Sequence, residues 1–555
     1  MGHKKQTPEE SRRNLVNNLS WQAAQRNDKQ VAQAIHNDEE VDAIYGLDEV
    51  GLLDGFFQFL EQVGIFFLVE EIEVPDIQRV LIPVVQFVLL YMLRILLGID
   101  SMNALPALLF SNVAAMMLVG FNAHQIVEGF TRRGDALRKD KPKQGPLSPQ
   151  CLAQNIYKIS PSELEKFFNG MVRRLAAFGT FAAKIATAID GSPLVTTENY
   201  AGCGCLKVER RALKKDGGWV TVIELLFGWK LIALIDVRTR IPLAIKVVQI
   251  QEYEGKWIVP LVKQAQANLA GYARIVKVVA DRIYLDGEDL WELDQMGLTF
   301  VVIAKDRMLV KKDALAQAAQ APADQVATRT RTVRHGYGSR QTTEKLVTRL
   351  VGLEGLTSYG LYGPEEHTKH YRRKDYQANP INAVVVLEWD SKQKNNHVYL
   401  TNGPLDDPFE AFDGYDDRSL IENCLFREGK GPWNLQQYFP QRDEQGVLVH
   451  TFFTMAVQAL ATAYRLWDRE QELSAQQSKA ADELLDYSLL GGEGAQRWRR
   501  RLKQENRNKV IVFVGEHYGT FHLAEFMVLA GLRLKEIPLE LGTPADILMR
   551  FALGP

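Results

Sequence analysis

The chain of 555 residues is too long for one ordinary domain and predicts about two to four of them. Its composition, 46% hydrophobic and 24% charged, is that of a folded protein and excludes large-scale disorder. The 66 basic residues are balanced by 68 acidic ones, which gives a net charge of −2. This balance excludes a protein that coats nucleic acid through an overall positive charge, but it is compatible with local basic patches.

The first 150 residues predict a helical domain. Apolar residues recur at helical spacing from about residue 40 to residue 122, before a basic, turn-rich stretch. Residues 80–97 and 104–121 approach the apolar length of a membrane-spanning helix, but Pro83, Gln86 and Arg94 interrupt the first run. We therefore predict a helix bundle without membrane contact, with a membrane-associated binding protein as the alternative.

From residue 178 onward, short apolar strands alternate with helices. The predicted strands cover residues 184–190, 220–226, 231–237, 241–250, 275–281 and 298–304, and the predicted helices cover 257–270 and 288–295. Antiparallel-looking strands followed by helix, strand, helix and strand are typical of a ribonuclease-H-like α/β sheet with helices on its faces. Residues 178–305 are thus predicted to form the first part of such a catalytic core.

The remaining residues predict three further regions. Residues 306–410 are polar and basic and exceed any normal loop, which indicates an inserted β-rich subdomain. Residues 411–470 are expected to complete the core with helices. Residues 471–555 predict a mostly helical C-terminal region for dimerisation or DNA contact, with a strand at 510–514 and a helix at 520–532.

Cysteine usage and the N-terminal sequence bear on the compartment. The four cysteines are too few and too scattered for a disulfide framework. Cys203 and Cys205 resemble half of a metal site without a second pair, so their role stays open. The polar N-terminus has no apolar segment of a secretory signal, and we expect a cytoplasmic protein.

Two aspartates each follow a predicted apolar strand. Asp190 precedes Gly-Ser-Pro, and Asp281 precedes Arg-Ile-Tyr. Strand ends of an α/β sheet lie side by side, so these acids can converge and hold a hard divalent cation such as Mg²⁺. Glu422, on a predicted helix, is the candidate for a third carboxylate. The spacing alone leaves open that the aspartates are turn formers or helix caps and that Glu422 is an ordinary surface residue.

A set of motifs in a defined order extends this hypothesis. Tyr415, Arg418 and Glu422 are spaced as Tyr-x-x-Arg-x-x-x-Glu, and Lys430 follows. Upstream lie Ile-Asp-Gly-Ser at 189–192, Val-Val-Ala-Asp-Arg-Ile-Tyr at 278–284 and Val-Tyr-Leu-Thr-Asn at 398–402. Together they resemble the Asp-Asp-Glu core and Tyr-Arg-Glu-Lys signature of bacterial insertion-sequence transposases, over roughly residues 182–466. The interval between Glu422 and Lys430 is one residue longer than is usual in that family, and Ser419 stands where relatives often have tryptophan.

The resemblance implies roles for these residues. Asp190, Asp281 and Glu422 would hold Mg²⁺ or Mn²⁺, with two ions in the site. Tyr415, Arg418 and Lys430 would contact phosphates of the DNA ends, although Arg418 could instead pair with Glu422 four residues on in the same helix. Further basic residues, for which solvated loops are the alternative, are predicted to contact DNA: Arg334, Arg372 and Arg373.

The resemblance also implies a function. A cut-and-paste transposase would bind terminal inverted repeats through its N-terminal domain, cleave the strands by metal-assisted phosphoryl transfer, and join the 3′ ends to target DNA. Its partners would be double-stranded DNA and a second copy of the chain, since two ends are cut together, and it would be nucleoid-associated when bound. A metal-dependent nuclease of the same fold without strand transfer is the alternative.

Overall fold

The computed structural model describes residues 25–46, 51–74, 82–121, 147–213, 217–335, 341–371, 378–475, 509–515 and 517–531. They fall into two units, the first formed by residues 1–174 and 429–555 and the second by residues 175–428. The first unit therefore combines both ends of the chain, and the second carries the acids.

Among the described residues, the regular elements are numbered in chain order. The strands are Gln25–Arg26 (β1), Ala43–Gly46 (β2), Lys184–Thr196 (β3), Gly204–Leu213 (β4), Trp219–Asp236 (β5), Pro242–Gln249 (β6), Arg274–Ala280 (β7), Thr299–Ile303 (β8), Val326–His335 (β9), Thr342–Leu356 (β10), Ile381–Trp389 (β11), Lys392–Thr401 (β12), Lys509–Val514 (β13) and His517–His522 (β14). The α-helices are Asp28–His36 (α1), Gly51–Val63 (α2), Ile65–Glu70 (α3), Val84–Leu96 (α4), Val113–Leu118 (α5), Pro149–Tyr157 (α6), Pro161–Ala177 (α7), Ile258–Leu269 (α8), Gly287–Gln295 (α9), Leu309–Ala318 (α10), Glu365–Thr368 (α11), Pro408–Asp416 (α12), Arg418–Leu420 (α13), Arg427–Lys430 (α14), Glu444–Ala475 (α15) and Leu523–Leu529 (α16). Short 3₁₀ turns cover Met102–Ala104, Gly255–Trp257, Arg282–Tyr284 and Ala323–Gln325, and π-helical turns cover Pro106–Phe110 and Ile421–Phe426.

The second unit is built on one mixed sheet. Strands β6, β5 and β3 pair antiparallel in that order, and β7 and β8 then continue in parallel with β3. This order is that of a ribonuclease-H-like core, which confirms the predicted fold of this region. Helices α8 and α12 pack on the sheet, and α13 with the π turn 421–426 packs against β3.

The strands predicted as a separate inserted subdomain extend the same sheet. Strand β12 pairs antiparallel with β8, and β11, β10 and β9 follow as successive antiparallel neighbours. Apolar side chains from this part form one cluster with α12, including Leu350, Val384 and Phe412. The β-rich character of this region is as predicted, but hydrogen bonding across β12 and β8 joins it to the core.

Strand β5 departs from the prediction of two strands. It runs unbroken through 18 residues because Gly228 takes φ 137°, a conformation that suits glycine. At this glycine the outer partner of β5 changes from β4 to β6. Strand β3 likewise continues six residues past Asp190 to Thr196, whereas the sequence predicts a strand end at the acid.

The first unit contains a small sheet, of which the sequence analysis predicts only the strand at 510–514. Strands β1 and β2 pair with β14 and β13 in the order β1-β14-β13-β2. Residues 520–522, predicted as the start of a helix, belong to β14, and the helix α16 begins only at Leu523. Helices α1 and α16 cover this sheet with apolar side chains that include Val31, Ile35 and Phe526.

The apolar helices of the first unit bear on the membrane alternative. Helix α4 has 13 residues, fewer than the roughly 20 needed to span a bilayer. Its Arg94 is buried and donates hydrogen bonds to the backbone carbonyls of Ile99, Asp100 and Tyr438 at 3.2, 3.1 and 3.1 Å. Among the described residues one helix, at 444–470, is long and apolar enough to cross a membrane, and its apolar window is 94% buried within the protein. We interpret it as the core helix of this unit.

Candidate active site

The two predicted aspartates lie on neighbouring parallel strands. The pairing of β3 with β7 ends at Ile189 opposite Ala280, which places Asp190 and Asp281 side by side, one residue further on. Strand β3 continues past this point while β7 does not, so the edge of β3 beside Asp281 is left as a notch in the sheet. Parallel pairing thus brings together two acids that are 91 residues apart in sequence.

The Asp190 side chain is buried and is held by two hydrogen-bond donors. Its Oδ1 accepts a hydrogen bond from the Gly191 backbone N–H at 2.8 Å, and its Oδ2 lies 3.1 Å from Nη1 of Arg418. Burial raises the pKa of Asp190 to about 6, against the lowering effect of these two donors. The negative charges of Glu254 and Asp281 act in the same direction as burial.

The segment of Tyr415, Arg418 and Glu422 contacts both aspartates through its tyrosine and its arginine. The Tyr415 hydroxyl lies 3.4 Å from Oδ1 of Asp281, and its ring packs on Tyr399 of β12 with 4.7 Å between centroids. The Arg418 guanidinium lies 5.8 Å from the centre of the Tyr415 ring. Burial, followed by the charge of Asp281, raises the pKa of Tyr415 to about 12, so its hydroxyl is a donor at neutral pH.

Arg418 is the group on which the three predicted acids converge. Burial lowers its pKa, but Tyr415 and the carboxylates of Asp190, Asp281 and Glu422 together raise the pKa above its usual value. Arg418 pairs with Asp190 of β3 instead of with Glu422 four residues on. Glu422 is exposed in the π-helical turn 421–426, a type of turn that is frequent at functional sites.

By their chemistry the three acids suit a hard divalent cation, which prefers carboxylate oxygen ligands. The three acids do not form a closed cage: within the described part of the chain, no group of three or more His, Cys, Asp and Glu side chains is arranged to hold a metal ion. Arg418 instead supplies the positive charge beside Asp190. The arrangement is therefore a pair of adjacent aspartates with an arginine counter-ion.

The other predicted DNA-contact residues have different surroundings. Arg334 is exposed on β9, whereas its neighbours Arg329 and Arg331 are paired with Asp413 and Asp390. Lys430 belongs to the first unit, and Arg372 and Arg373 lie outside the described residues.

Several residues of the site are missing from the prediction. Glu254 precedes the 3₁₀ turn 255–257 and is buried next to Gly191. Tyr284 is fully buried, and its hydroxyl has no hydrogen-bond partner. Lys230 lies 3.6 Å from Oε2 of Glu254. The sequence around Glu254 contains no motif that distinguishes this acid from Glu252.

Comparison with known proteins finds a family match for the region that contains the acids. Residues 182–444 match the family model of the transposase DDE domain, a little under half of the chain. No curated protein matches the chain significantly. A cryo-EM structure of a piggyBac transposase synaptic complex with hairpin DNA aligns over 83% of this chain and 86% of that chain, with 11% identity and a TM-score of 0.34, a likeness too weak to define the fold. The acids, Tyr415, Arg418 and Lys430 all lie within the residues that match the transposase DDE domain.

Proposed function

We propose that this protein is a DNA transposase of the cut-and-paste type, with Asp190, Asp281 and Glu422 as its catalytic carboxylates. The observation that supports it best is the side-by-side placement of Asp190 and Asp281 beneath Arg418, within the segment that matches a transposase DDE domain. The substrate would be double-stranded DNA, both the ends of a mobile element and a target.

The carboxylates would hold Mg²⁺ or Mn²⁺, in a two-ion arrangement. Two such ions can activate an attacking water or 3′-hydroxyl and stabilise the leaving oxygen of a phosphodiester. Asp190 and Asp281 would provide the oxygens from the sheet, and Glu422 would provide the third carboxylate from the π-helical turn. Because burial favours the protonated form of Asp190, that carboxyl must lose its proton before it binds a cation.

Arg418 and Tyr415 would bind the scissile region of the DNA. Both are donors facing the acids, and a guanidinium pairs with two phosphate oxygens as readily as with a carboxylate. A phosphate that enters the site can therefore take over Arg418 from Asp190 and leave that carboxylate available. Lys430 would contact the same DNA, with Arg334, Arg372 and Arg373 as outer contacts.

A strand-joining assay tests this function. The purified protein is given a DNA end taken from the flank of its gene, already cut to expose a 3′-hydroxyl, together with a plasmid target and Mg²⁺ or Mn²⁺. We expect covalent joining of the end to the plasmid, and loss of joining in Asp190→Asn, Asp281→Asn and Glu422→Gln with end binding retained. Hydrolysis without joining would favour the second candidate, a nuclease of the same fold, which the carboxylate arrangement supports equally.

The assembly and location follow from this proposal. Two ends must be cut in concert, so we expect a homodimer on DNA, with the N-terminal region providing recognition of the ends and residues 471–555 contributing to dimerisation or DNA contact. A bacterial cytoplasm with access to the nucleoid is the matching compartment. Imperfect inverted repeats on both sides of the gene would support the proposal, and their absence from an isolated gene would weaken it.

A further inference from the structure

Glu254 is a buried acid beside the notch in the sheet. Only 7% of the residue is exposed, and it lies in the loop between β6 and α8. The neighbouring Tyr253 donates a hydrogen bond from its hydroxyl to the Ile283 carbonyl at 2.6 Å. Ile283 belongs to the 3₁₀ turn that begins directly after Asp281, so this hydrogen bond ties the loop of Glu254 to the segment that follows the second aspartate.

The Glu254 carboxylate contacts β3 at Gly191. A Cβ atom added at Gly191 would lie 1.7 Å from Oε2 of Glu254, so the carboxylate occupies the space that a side chain at this position would take. Side chains alternate along a strand, and Asp190 and Gly191 therefore face opposite sides of the sheet. Since β7 ends at Ala280, no β7 residue pairs with β3 beyond Ile189, and acids from the two faces can reach the same notch.

The hydrogen bonding of Glu254 is incomplete. Its Oε2 is buried without a hydrogen-bond partner, although the Lys230 ammonium lies 3.6 Å away. That ammonium donates to the Glu252 carbonyl at 3.2 Å. A buried carboxylate oxygen normally accepts hydrogen bonds or coordinates a cation, since leaving it unsatisfied costs about 1–3 kcal/mol or more.

A second unsatisfied group lies in the same place. The Tyr284 hydroxyl is buried without a partner, and burial together with the charges of Glu254, Asp190 and Asp281 raises the pKa of Tyr284 above its usual value. Glu254 is the largest of these three charge effects. The charges of the three carboxylates therefore all act on one buried hydroxyl, and two elements contribute unsatisfied polar atoms to this region.

We propose that Glu254 is a fourth carboxylate of the metal site, binding a divalent cation together with Asp190 and Asp281 from the opposite face of β3. This inference rests on the proposed function, because it concerns the same cations. Asp190, Asp281, Glu422 and Glu254 would together hold the cations, with Glu422 near Arg418 and Glu254 near Gly191.

Manganese binding in the absence of DNA tests this assignment. The full-length protein is titrated with Mn²⁺ by calorimetry, as wild type and as Glu254→Gln, Glu254→Asp, Glu252→Gln and Asp190→Asn. Glu252 is the matched control, since it lies in the same loop but pairs with Lys256 at 2.9 Å and accepts from Trp257 at 3.1 Å. We expect Glu254→Gln to weaken binding at least tenfold or to remove one ion, and Glu252→Gln to bind as wild type.

The Glu254→Asp variant distinguishes a direct metal ligand from a carboxylate that acts only through its charge. It keeps the negative charge but withdraws the carboxylate by one methylene, so a direct ligand predicts weaker binding, whereas a field effect predicts wild-type binding and would overturn the assignment. Wild-type binding by Glu254→Gln would also overturn it.

Asp190→Asn is the arm that tests the proposed function itself. If it binds Mn²⁺ normally, or if the wild type binds none, the metal site is not at this notch and both proposals fail. A thermal unfolding scan without metal accompanies each variant. A Glu254→Gln protein that keeps its cooperative transition and loses Mn²⁺-dependent stabilisation supports the assignment, and one that keeps that stabilisation contradicts it.

Discussion

The Asp190 carboxyl combines a raised pKa with the need to bind a cation as the anion. Burial is the main cause of the raised value of about 6, and the Arg418 and Gly191 donors only partly offset it. A proton and a metal ion therefore compete for the same oxygens near neutral pH. With a pKa near 6, Asp190 changes its charge when one neighbouring donor or charge is added or removed.

The affinity for Mn²⁺ should depend on pH in a defined direction. Below about pH 6 Asp190 is protonated, so binding is lost as the pH falls through that value and is complete above it. With one proton released for each ion bound at this carboxylate, we expect about a tenfold loss for each pH unit below 6. Calorimetry in acetate, MES and HEPES buffers measures it. An affinity of the wild-type protein for Mn²⁺ that does not change as the pH falls below about 6 would contradict this dependence.

Arg418 should act as a competitor of the cation. Its Nη1 occupies Oδ2 of Asp190, so Arg418→Gln should strengthen Mn²⁺ binding at pH 8 by on the order of tenfold, the equivalent of one charged hydrogen bond. The same variant should bind DNA ends more weakly. Arg282→Gln is the control, because Arg282 is exposed and follows Asp281 directly. Equal effects of the two substitutions would show that only general charge matters.

At the residue scale, the sequence is informative where a motif marks the acid. Asp190 and Asp281 follow apolar strands, and parallel pairing places them side by side, as the strand pattern predicts. Glu254 could not be predicted in this way. It reaches the site because Gly191 lacks a side chain and the loop is tied to Ile283, and both are facts of three-dimensional packing.

At the scale of elements, Gly228 allows β5 to serve two outer partners. Its Cβ would lie 2.1 Å from the Leu194 carbonyl oxygen of β3, and its φ of 137° is unfavourable for other residues. Residues before it pair with β4 and residues after it with β6. The strand that supports Asp190 therefore depends on this glycine.

Gly228→Ala should destabilise the protein by about 3 kcal/mol or more, since strain at φ costs roughly 1–3 kcal/mol and the clash with backbone adds to it. Gly271→Ala is the matched control, with φ of 87° but nothing within 4 Å of its Cβ. Urea unfolding followed by circular dichroism measures both. Equal losses in the two variants would show that the contact with Leu194 is unimportant.

The pairing of α4 with α15 contains a histidine that stays neutral. His450 Nε2 lies 2.9 Å from the Asn434 carbonyl and must donate, so Nδ1 accepts from the Tyr91 hydroxyl at 2.9 Å. Burial, with a smaller effect of Arg94, lowers the pKa of His450 to about 3. The folded form therefore excludes a proton that the unfolded chain takes up below about pH 6.5.

This histidine predicts acid sensitivity. Stability should be fully present above pH 6.5 and fall by roughly 1.4 kcal/mol for each pH unit between 6.5 and about 3. Urea unfolding at pH 7 and pH 5 measures this. His450→Gln, which does not titrate, should lower stability at pH 7 but show a shallower loss on acidification. A wild-type slope in the variant would assign the acid sensitivity to other groups.

Among elements, the strands and helices around the acids are those that sequence patterns predict well. Strand β7, helix α8, helix α9 and strand β8 differ from prediction by at most one residue at either end. The failures have physical causes: Gly228 continues β5 where a break was indicated, and β14 replaces the start of a helix because it pairs with β13. Pairing of distant segments overrides local preference.

At the scale of the whole molecule, the N-terminal and C-terminal segments are parts of one sheet. Ile44 of β2 lies opposite Val512 of β13, and Gln25 of β1 opposite His517 of β14. Helices α1 and α16 share one apolar cluster with this sheet. Within the region predicted as a helical N-terminal domain, β1, β2 and α1 therefore pair and pack with elements from residues 509–529.

Truncation tests this dependence. A chain ending at residue 508 loses β13, β14 and α16, and exposes apolar residues of α1 such as Val31 and Ile35. We expect rapid proteolysis within residues 25–46, whereas a chain ending at Gly531 should be protected there as the full chain is. Limited trypsin digestion with mass spectrometry detects the cuts. Equal protection in both truncations would mean that β1 and β2 hold without their partners.

The pairing of Ile44 with Val512 also sets an order of events during synthesis. The ribosome adds about 5–20 residues each second, so roughly 25–90 s pass between the emergence of one strand and that of its partner. The strands that carry Asp190 and Asp281 are available much earlier. A nascent chain can thus form the sheet that carries the two aspartates before β13 has been synthesised. The first unit is completed last, because β2 can pair only once β13 is present.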